Sequence, residues 1–423
     1  MSLPRDLQVL RHATLPDGRV VDVVIDDDTV TDVVPGGGAA PAPDGPAAEL
    51  DLTGFVLMTA PAEPHAHLDK ARSWDAIQPP MGDLVRAIDS WVAHSATMTT
   101  EEIAARAREQ ALRMLRQGTT AVRTHVDLLR GDQPLRGVRA LVEVREELAG
   151  LMDLQLVALG HELVDDDAYA EALDLGVDLV GGAPHLATDP FDELARAVRL
   201  AEQHDVGIDL HTDESLDGPL TIVAFARAVR GWTRPVTAGH CVRLGTLDAE
   251  ELEQVVAEIA ASPMGIVSLP ITNLYLQGWE HPVATPRGLT ALRALLDAGV
   301  PVAGGADNVR DPFNPVGRSD ALETASLLVS AGHLTLDEAV TAVTDGARRV
   351  MSLPLAGAVP GRRADLLAVR GANLAEVVAD AGPDRYVVHA GRLVAHSHAV
   401  HALAPTRPPV SPVSPVSSAK EPA

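Results

Sequence analysis

The sequence predicts an α/β chain: a (β/α)8 barrel flanked by a small β-sandwich made from the two ends of the chain. Three observations carry that prediction. Eight short apolar runs of β type alternate with helical patterns through the middle of the sequence. Short strands broken by Gly, Pro and Asp-Gly turns precede that alternation and return after Leu353. Seven of the 16 histidines fall at or just past the ends of the apolar runs, where a barrel carries its chemistry.

Within residues 7–56, Val20–Ile25, Val30–Val34 and Phe55–Met58 read as strands, separated by Asp-Gly and by a Gly/Ala/Pro stretch at 35–48. The barrel strands are expected at Phe55–Thr59, Thr120–Thr124, Leu154–Leu159, Val177–Gly181, Val206–Leu210, Pro235–Ala238, Gly265–Leu269 and Val300–Gly304. Helical periodicity lies between them at Glu101–Gln117, Pro134–Leu148, Phe191–Gln203, Leu247–Ala261 and Pro286–Ala298. Strand texture resumes in Ala364–Val369 and Tyr386–Val394. The expected division is therefore a sandwich from 1–54 with 354–403, a barrel over 55–353, and a disordered Pro-Val-Ser tail at 404–423. A doubly wound open sheet is the rival, but it needs a Gly-rich phosphate loop after its first strand. The sequence has none there.

Composition narrows the function classes. Hydrophobic residues make up 46% of the 423 residues but aromatics only 3%, so the core must come from Ala, Val and Leu. A formal charge of -25 argues against nucleic acid or anionic membrane as partner, since both need a basic surface. One cysteine, Cys241, permits neither an intramolecular disulfide nor a thiolate metal cluster, and reads as a small buried residue. Met1–Leu10 lacks a basic stretch followed by an apolar run, and no apolar segment reaches the ~18–20 residues of a membrane span. A cytoplasmic location is expected.

The residues past each run carry the chemistry. In order they are His65 and His67; His125 and Asp127; His161 and Glu162; His185; His211, Asp213 and Glu214; His240; Asn273 and Gln277; and Asp307 with Asn308. Alternate residues of a strand share a face, so both imidazoles of Pro64-His65-Ala66-His67 can point into the barrel mouth and bind one metal. Neutral imidazole and carboxylate suit one divalent ion, Zn2+ or Fe2+.

The segments Glu63-Pro-His-Ala-His-Leu-Asp69, Arg123-Thr-His-Val-Asp127, Asp209-Leu-His-Thr-Asp-Glu214, Ala238-Gly-His240, Asn273-Leu-Tyr-Leu-Gln-Gly278 and Gly305-Ala-Asp-Asn308 resemble, in order, the cytosine deaminase branch of the amidohydrolase superfamily. The resemblance spans nearly the whole chain. It implies His65, His67, His211 and Asp307 as metal ligands, Glu214 as proton shuttle and His240 as partner of the attacking water. It also implies a homo-oligomer. A metal lowers the pKa of water from ~15.7 toward ~7. Glu214, three residues past a ligand, can carry the released proton to a ring nitrogen and then to the leaving amine. Binuclear members of the superfamily carry a carboxylated lysine at the end of strand four. This chain has only Lys70 and Lys420 and reads Gly182-Ala-Pro-His185 there, so a single metal is expected.

Two positions depart from that branch. His161 stands where the resembled deaminases have a glutamine that reads the pyrimidine, and Asn308 where they have a second Asp. Relatives that remove alkylamino groups from triazines also have Asp-Asn, but lack a counterpart of Glu214. Cytosine itself is therefore disfavoured, and the expected reaction is hydrolytic deamination of a cyclic amidine in a pyrimidine, triazine or related ring. Hydrolysis of a cyclic amide or an N-alkyl substituent is the alternative, followed by a catalytically silent homologue. The substrate contacts expected are His161, Asn308, Gln277, Lys70, Trp74 and His185, and the pattern leaves His125 open between a functional role and bracing the ligands.

Overall fold

Eight parallel strands pair in chain order: Ala62–Ala66, Ala121–Asp127, Asp153–Gly160, Leu179–Gly182, Gly207–Thr212, Val236–His240, Gly265–Ser268 and Val302–Gly304. The ring closes where Ala66 bridges Asp307, with Asp307 N donating to His65 O at 3.0 Å. This is a computed structural model describing residues 3–37, 45, 48–400 and 402–403. The tail at 404–423 and part of the 35–48 stretch lie outside the described residues.

Helices cover the barrel where the sequence carries an apolar stripe. Thr100–Gln117 starts at a Thr99/Glu102 capping box and buries Ile103, Ala104, Ala107, Ala111, Met114 and Leu115 on one face. It ends at Gly118, whose φ of +110° favours glycine and whose added Cβ would meet Leu367 at 2.5 Å. The helix expected at Pro286–Ala298 is confined to Leu292–Asp297. Gly288 at φ +64° and the irregular run before it, with bends at 282–284, leave no helix in the first half.

The chain ends meet in one nine-stranded sheet. Arg392–Ser397, Arg385–His389, Leu366–Arg370, Phe55–Thr59, Val9–Thr14, Val20–Asp26 and Thr29–Pro35 run side by side in that order, with Arg5–Asp6 at one edge and Glu49–Asp51 beside Val9–Thr14. Phe55–Thr59, expected as the first barrel strand, pairs antiparallel with Leu366–Arg370 in this sheet, and the barrel starts at Ala62. The cause of the misreading is burial on both faces. Phe55 and Leu57 pack into the sheet's own core, while Val56 and Met58 join the barrel core. The run is therefore continuously apolar, as a barrel strand is.

Between the two units lies Asp365, fully buried. It accepts from Arg348 Nη2 at 2.5 Å and Ala390 N at 2.7 Å, and lies 3.1 Å from His389 Nδ1. Burial alone would raise its pKa, but His389, Arg348 and Arg363 outweigh that and hold it well below the usual range. A depressed carboxyl stabilises the fold above its unfolded pKa of ~3.9, and that stabilisation fades as pH falls toward the folded value. Asp365→Asn is expected to cost about 3–5 kcal/mol at pH 7, because it leaves Arg348 buried without its counter-charge. In urea melts, the gap between wild type and variant should narrow below about pH 4; a gap that widens on acidification contradicts this account.

Candidate active site

His65 lies in the first barrel strand and His67 just beyond it, so both imidazoles turn into the mouth of the barrel. His211 joins them from the fifth strand, His240 from the end of the sixth, and Asp307 from the turn after the eighth. His211 Nε2 is 3.2 Å from His65 Nε2 and 3.1 Å from His67 Nε2. Asp307 Oδ1 is 3.2 Å from His67 Nε2 and 3.8 Å from His65 Nε2. The backbone turns sharply to do this: Asp213, His240 and Asp307 have φ of 46°, 66° and 60°. Such left-handed positions cost a non-glycine residue on the order of 1 kcal/mol each, and they gather where side chains must be aimed.

One N–H on His211 Nε2 cannot serve two facing nitrogens. Nitrogens bound tetrahedrally at ~2.0–2.1 Å to one ion lie ~3.3 Å apart, close to the separations here. Burial, then the neighbouring imidazoles, hold His65 and His211 far below the ordinary histidine pKa; for His67, burial is followed by Lys70. All three are therefore neutral, as ligands must be. Asp307 is pushed up by burial and then by Glu214, Asp311 and Glu63. Both its oxygens lack a hydrogen-bond donor. Three neutral imidazoles and a carboxylate in need of positive charge fit a divalent cation.

The supporting shell fixes these groups. Glu63 accepts the N–H groups of His65 (3.1 Å) and Ala306 (3.0 Å), stapling the first strand to the eighth; burial pushes its carboxyl up to about 8. Asp213 accepts from Thr221 N (2.9 Å) and Ile222 N (3.0 Å), and Gln277 Nε2 donates to Glu214 O at 2.8 Å. The loop carrying Glu214 is thereby held at both ends. Glu214 Oε1 lies 3.4 Å from His240 Nδ1 and Oε2 lies 3.7 Å from His185 Nε2. Burial opposes its charge, but His240 and His185 hold its pKa below the ordinary value. Burial pushes His240 down to about 4, with Glu214 opposing the shift. Asn273 Nδ2 lies 3.1 Å from His240 Nδ1, and His240 Nε2 lies 3.9 Å from Asp307. Beneath the site, His125 stacks on His65 at 4.1 Å between centroids and faces Asp209, which pairs with Arg123 at 2.8 Å.

A cavity of about 400 Å³ opens from these groups. His67, His211, Glu214, His240, Asp307, Asn308, His161 and Lys70 all line it. Half-buried His161 accepts the N–H of Leu163 at Nδ1 (3.2 Å), leaving Nε2–H as its free donor. Asn308 Nδ2 donates to buried Asp311 at 2.9 Å. Lys70 is buried, 2.8 Å from Asp127 and 3.2 Å from His67 Nδ1. Three expected substrate contacts do not line the cavity. His185 packs behind Glu214; Gln277 is spent on the Glu214 backbone; Trp74 begins a short helix beside Arg310. Sequence reasoning missed Trp91, Ile88 and Leu84 on the helix Leu84–Ser95, and Phe313 beyond the eighth strand. The signal was available for the helix: Asp83 caps it, and Leu84, Ile88, Trp91 and Ser95 recur on one face.

Gly239 gives the ligand cluster a specific weak point. A Cβ there would lie 2.9 Å from both Cε1 and Nδ1 of His65, a ring with no room to retreat. Gly239→Ala should lower metal affinity by roughly 10–100-fold, measured by competition with a chelator, while the far-ultraviolet circular dichroism stays that of wild type.

Comparisons with known proteins agree with this fold. A pterin deaminase from Rhizobium rhizogenes is 32% identical over 416 residues, covering 92% of this chain and 94% of the relative. An N-isopropylammelide isopropyl amidohydrolase from Pseudomonas sp. is 25% identical over 378 residues, covering 84% and 89%. Among solved structures, 5-methylcytosine deaminase from Klebsiella pneumoniae superposes with a TM-score of 0.84 at 26% identity, covering 94% of this chain and 99% of that one. Residues 66–395 match the Amidohydrolase family. The chain belongs to that family.

Proposed function

We propose that this chain deaminates a flat nitrogen heterocycle by hydrolysis, using His65, His67, His211 and Asp307 to hold one divalent ion, zinc or iron. That it is a hydrolase of non-peptide C–N bonds follows from its family and its deaminase and aminohydrolase relatives. The observation that carries the finer reading is Glu214, a buried carboxylate between His240 and His185, on the same cavity as Asp307. A silent homologue has no use for a buried charge so expensively held. A divalent ion held by His65, His67, His211 and Asp307 would supply Lewis acidity, lowering the pKa of water toward ~7.

The chain's own groups then have distinct tasks. His240, whose Nε2 lies 3.9 Å from Asp307, offers a ring N–H to the developing oxygen charge. Glu214 takes a proton from the attacking water, gives it to the ring nitrogen of the amidine, and relays the second to the departing amine. His161 presents one donor to a carbonyl or bare ring nitrogen, and Asn308 presents a neutral amide to the amine side. The pterin deaminase relative favours a fused two-ring substrate. Removal of an alkylamino group is a second reading, supported by Asn308 and by the likeness to N-isopropylammelide hydrolases.

Ammonia release from pterin, 5-methylcytosine and cytosine, and isopropylamine release from N-isopropylammelide, separate these readings. Pterin is expected to be the best substrate; isopropylamine release alone supports the second reading. Glu214→Gln should lower kcat by roughly 10²–10⁴-fold with bound metal retained, and a variant of undiminished kcat removes Glu214 from the mechanism. His211→Ala should abolish both turnover and stoichiometric metal. Elemental analysis of the purified protein decides between zinc and iron.

A further inference from the structure

We infer that Trp91, held in orientation by Asp127, is the cavity wall that selects flat, π-bonded rings over puckered cyclic amides. This rests on the deaminase reading above and adds to it a recognition residue, a positioning residue and a rule of selection. Trp91 belongs to the helix Leu84–Ser95, which lies over the cavity and turns Leu84, Ile88, Trp91, Val92 and Ser95 toward it. In a chain with four tryptophans and four phenylalanines, one of each, Trp91 and Phe313, lines this cavity.

The indole is fixed from below. Its Nε1–H donates to Asp127 Oδ2 at 2.5 Å, while Asp127 Oδ1 accepts from Lys70 Nζ at 2.8 Å. Lys70 Nζ in turn lies 3.2 Å from His67 Nδ1. Two side chains thus tie the Trp91 ring to a residue of the ligand cluster, so its position is set relative to the reacting centre. Lys70 Nζ lies 5.3 Å from the Trp91 centroid and 5.8 Å from that of Phe313, which gathers both rings about one ammonium.

Because its only polar atom is already bonded, Trp91 offers the cavity hydrocarbon and π surface and no hydrogen bond. Pyrimidine, triazine and pterin rings are flat and π-deficient, so they stack on an indole better than a dihydro ring, whose sp3 carbons pucker it and break the continuous π face. Trp91 is a specificity-determining contact; Asp127 acts through it as a positioning residue.

The test uses the purified, metal-containing protein and calorimetric affinities for two probes: pterin, which is flat, and dihydrouracil, which is puckered. Trp91→Leu should weaken pterin by about tenfold and dihydrouracil by less than about twofold. Trp91→Phe, which keeps a ring but loses the N–H, should weaken pterin by a smaller factor, and Asp127→Asn should likewise weaken pterin selectively. Metal content and melting temperature are measured for each variant. Equal weakening of both probes, unchanged pterin affinity in Trp91→Leu, or no pterin binding by wild type would each overturn the inference. Should Trp91→Leu not fold, the selectivity of Trp91→Phe and Asp127→Asn decides alone. Since binding is read without turnover, failure of the deaminase reading, seen as wild type releasing no amine, is a separate result.

Discussion

The bond from Asp307 N to His65 O joins the last barrel strand to the first, and the site depends on that closure. His65 and Asp307 are more than two hundred residues apart in sequence, yet the bond makes them neighbours across a parallel bridge. Glu63 reinforces the joint from within by accepting the N–H groups of both strands. Had the sheet stayed open, these two residues would stand at opposite edges of eight strands, far outside coordination reach.

Closure concentrates charge where water is scarce. Asp307, Glu214 and Asp311 approach one another in a buried site, where burial holds Glu63 protonated near neutral pH and the His211 imidazole is neutral. A fold cannot carry such an array without a counter-charge, which is the physical case for a cation at the centre. The layer below is also polar: Arg123 bonds Asp209 and Thr237, where barrels commonly stack Val, Ile and Leu. The chain therefore keeps paired charge in its barrel interior, stacked under His65 through His125.

The sheet formed by the chain ends is joined to the barrel through shared packing and buried ion pairs. Val56, Met58, Leu367 and Val369 point into the barrel core, while their alternating neighbours fill the sheet's own core. Arg348–Asp365 and Arg385–Asp320 cross the same boundary. No helix among the described residues is long and apolar enough to cross a membrane.

Most barrel strands and the polar residues at their ends were legible because each depends on local order. A period of two aims His65 and His67 to one face, and a parallel strand buried on both sides reads as an unbroken apolar run. The same rule misassigned Phe55–Thr59, since burial on both faces leaves one signature whichever sheet the strand joins. Proximity in the chain does not put a residue on the cavity: Trp74, His185 and Gln277 do not line it, the Trp74 backbone binding Arg310, His185 lying against Glu214 and Gln277 bonding the Glu214 backbone. The sequence by itself determined the strand-helix alternation, the metal-suited residue types and the carboxylate three places past His211. Only the tertiary structure decided which side chains share a cavity, because Trp91, Asp127, Lys70 and Phe313 meet through separate loops whose approach no local pattern encodes.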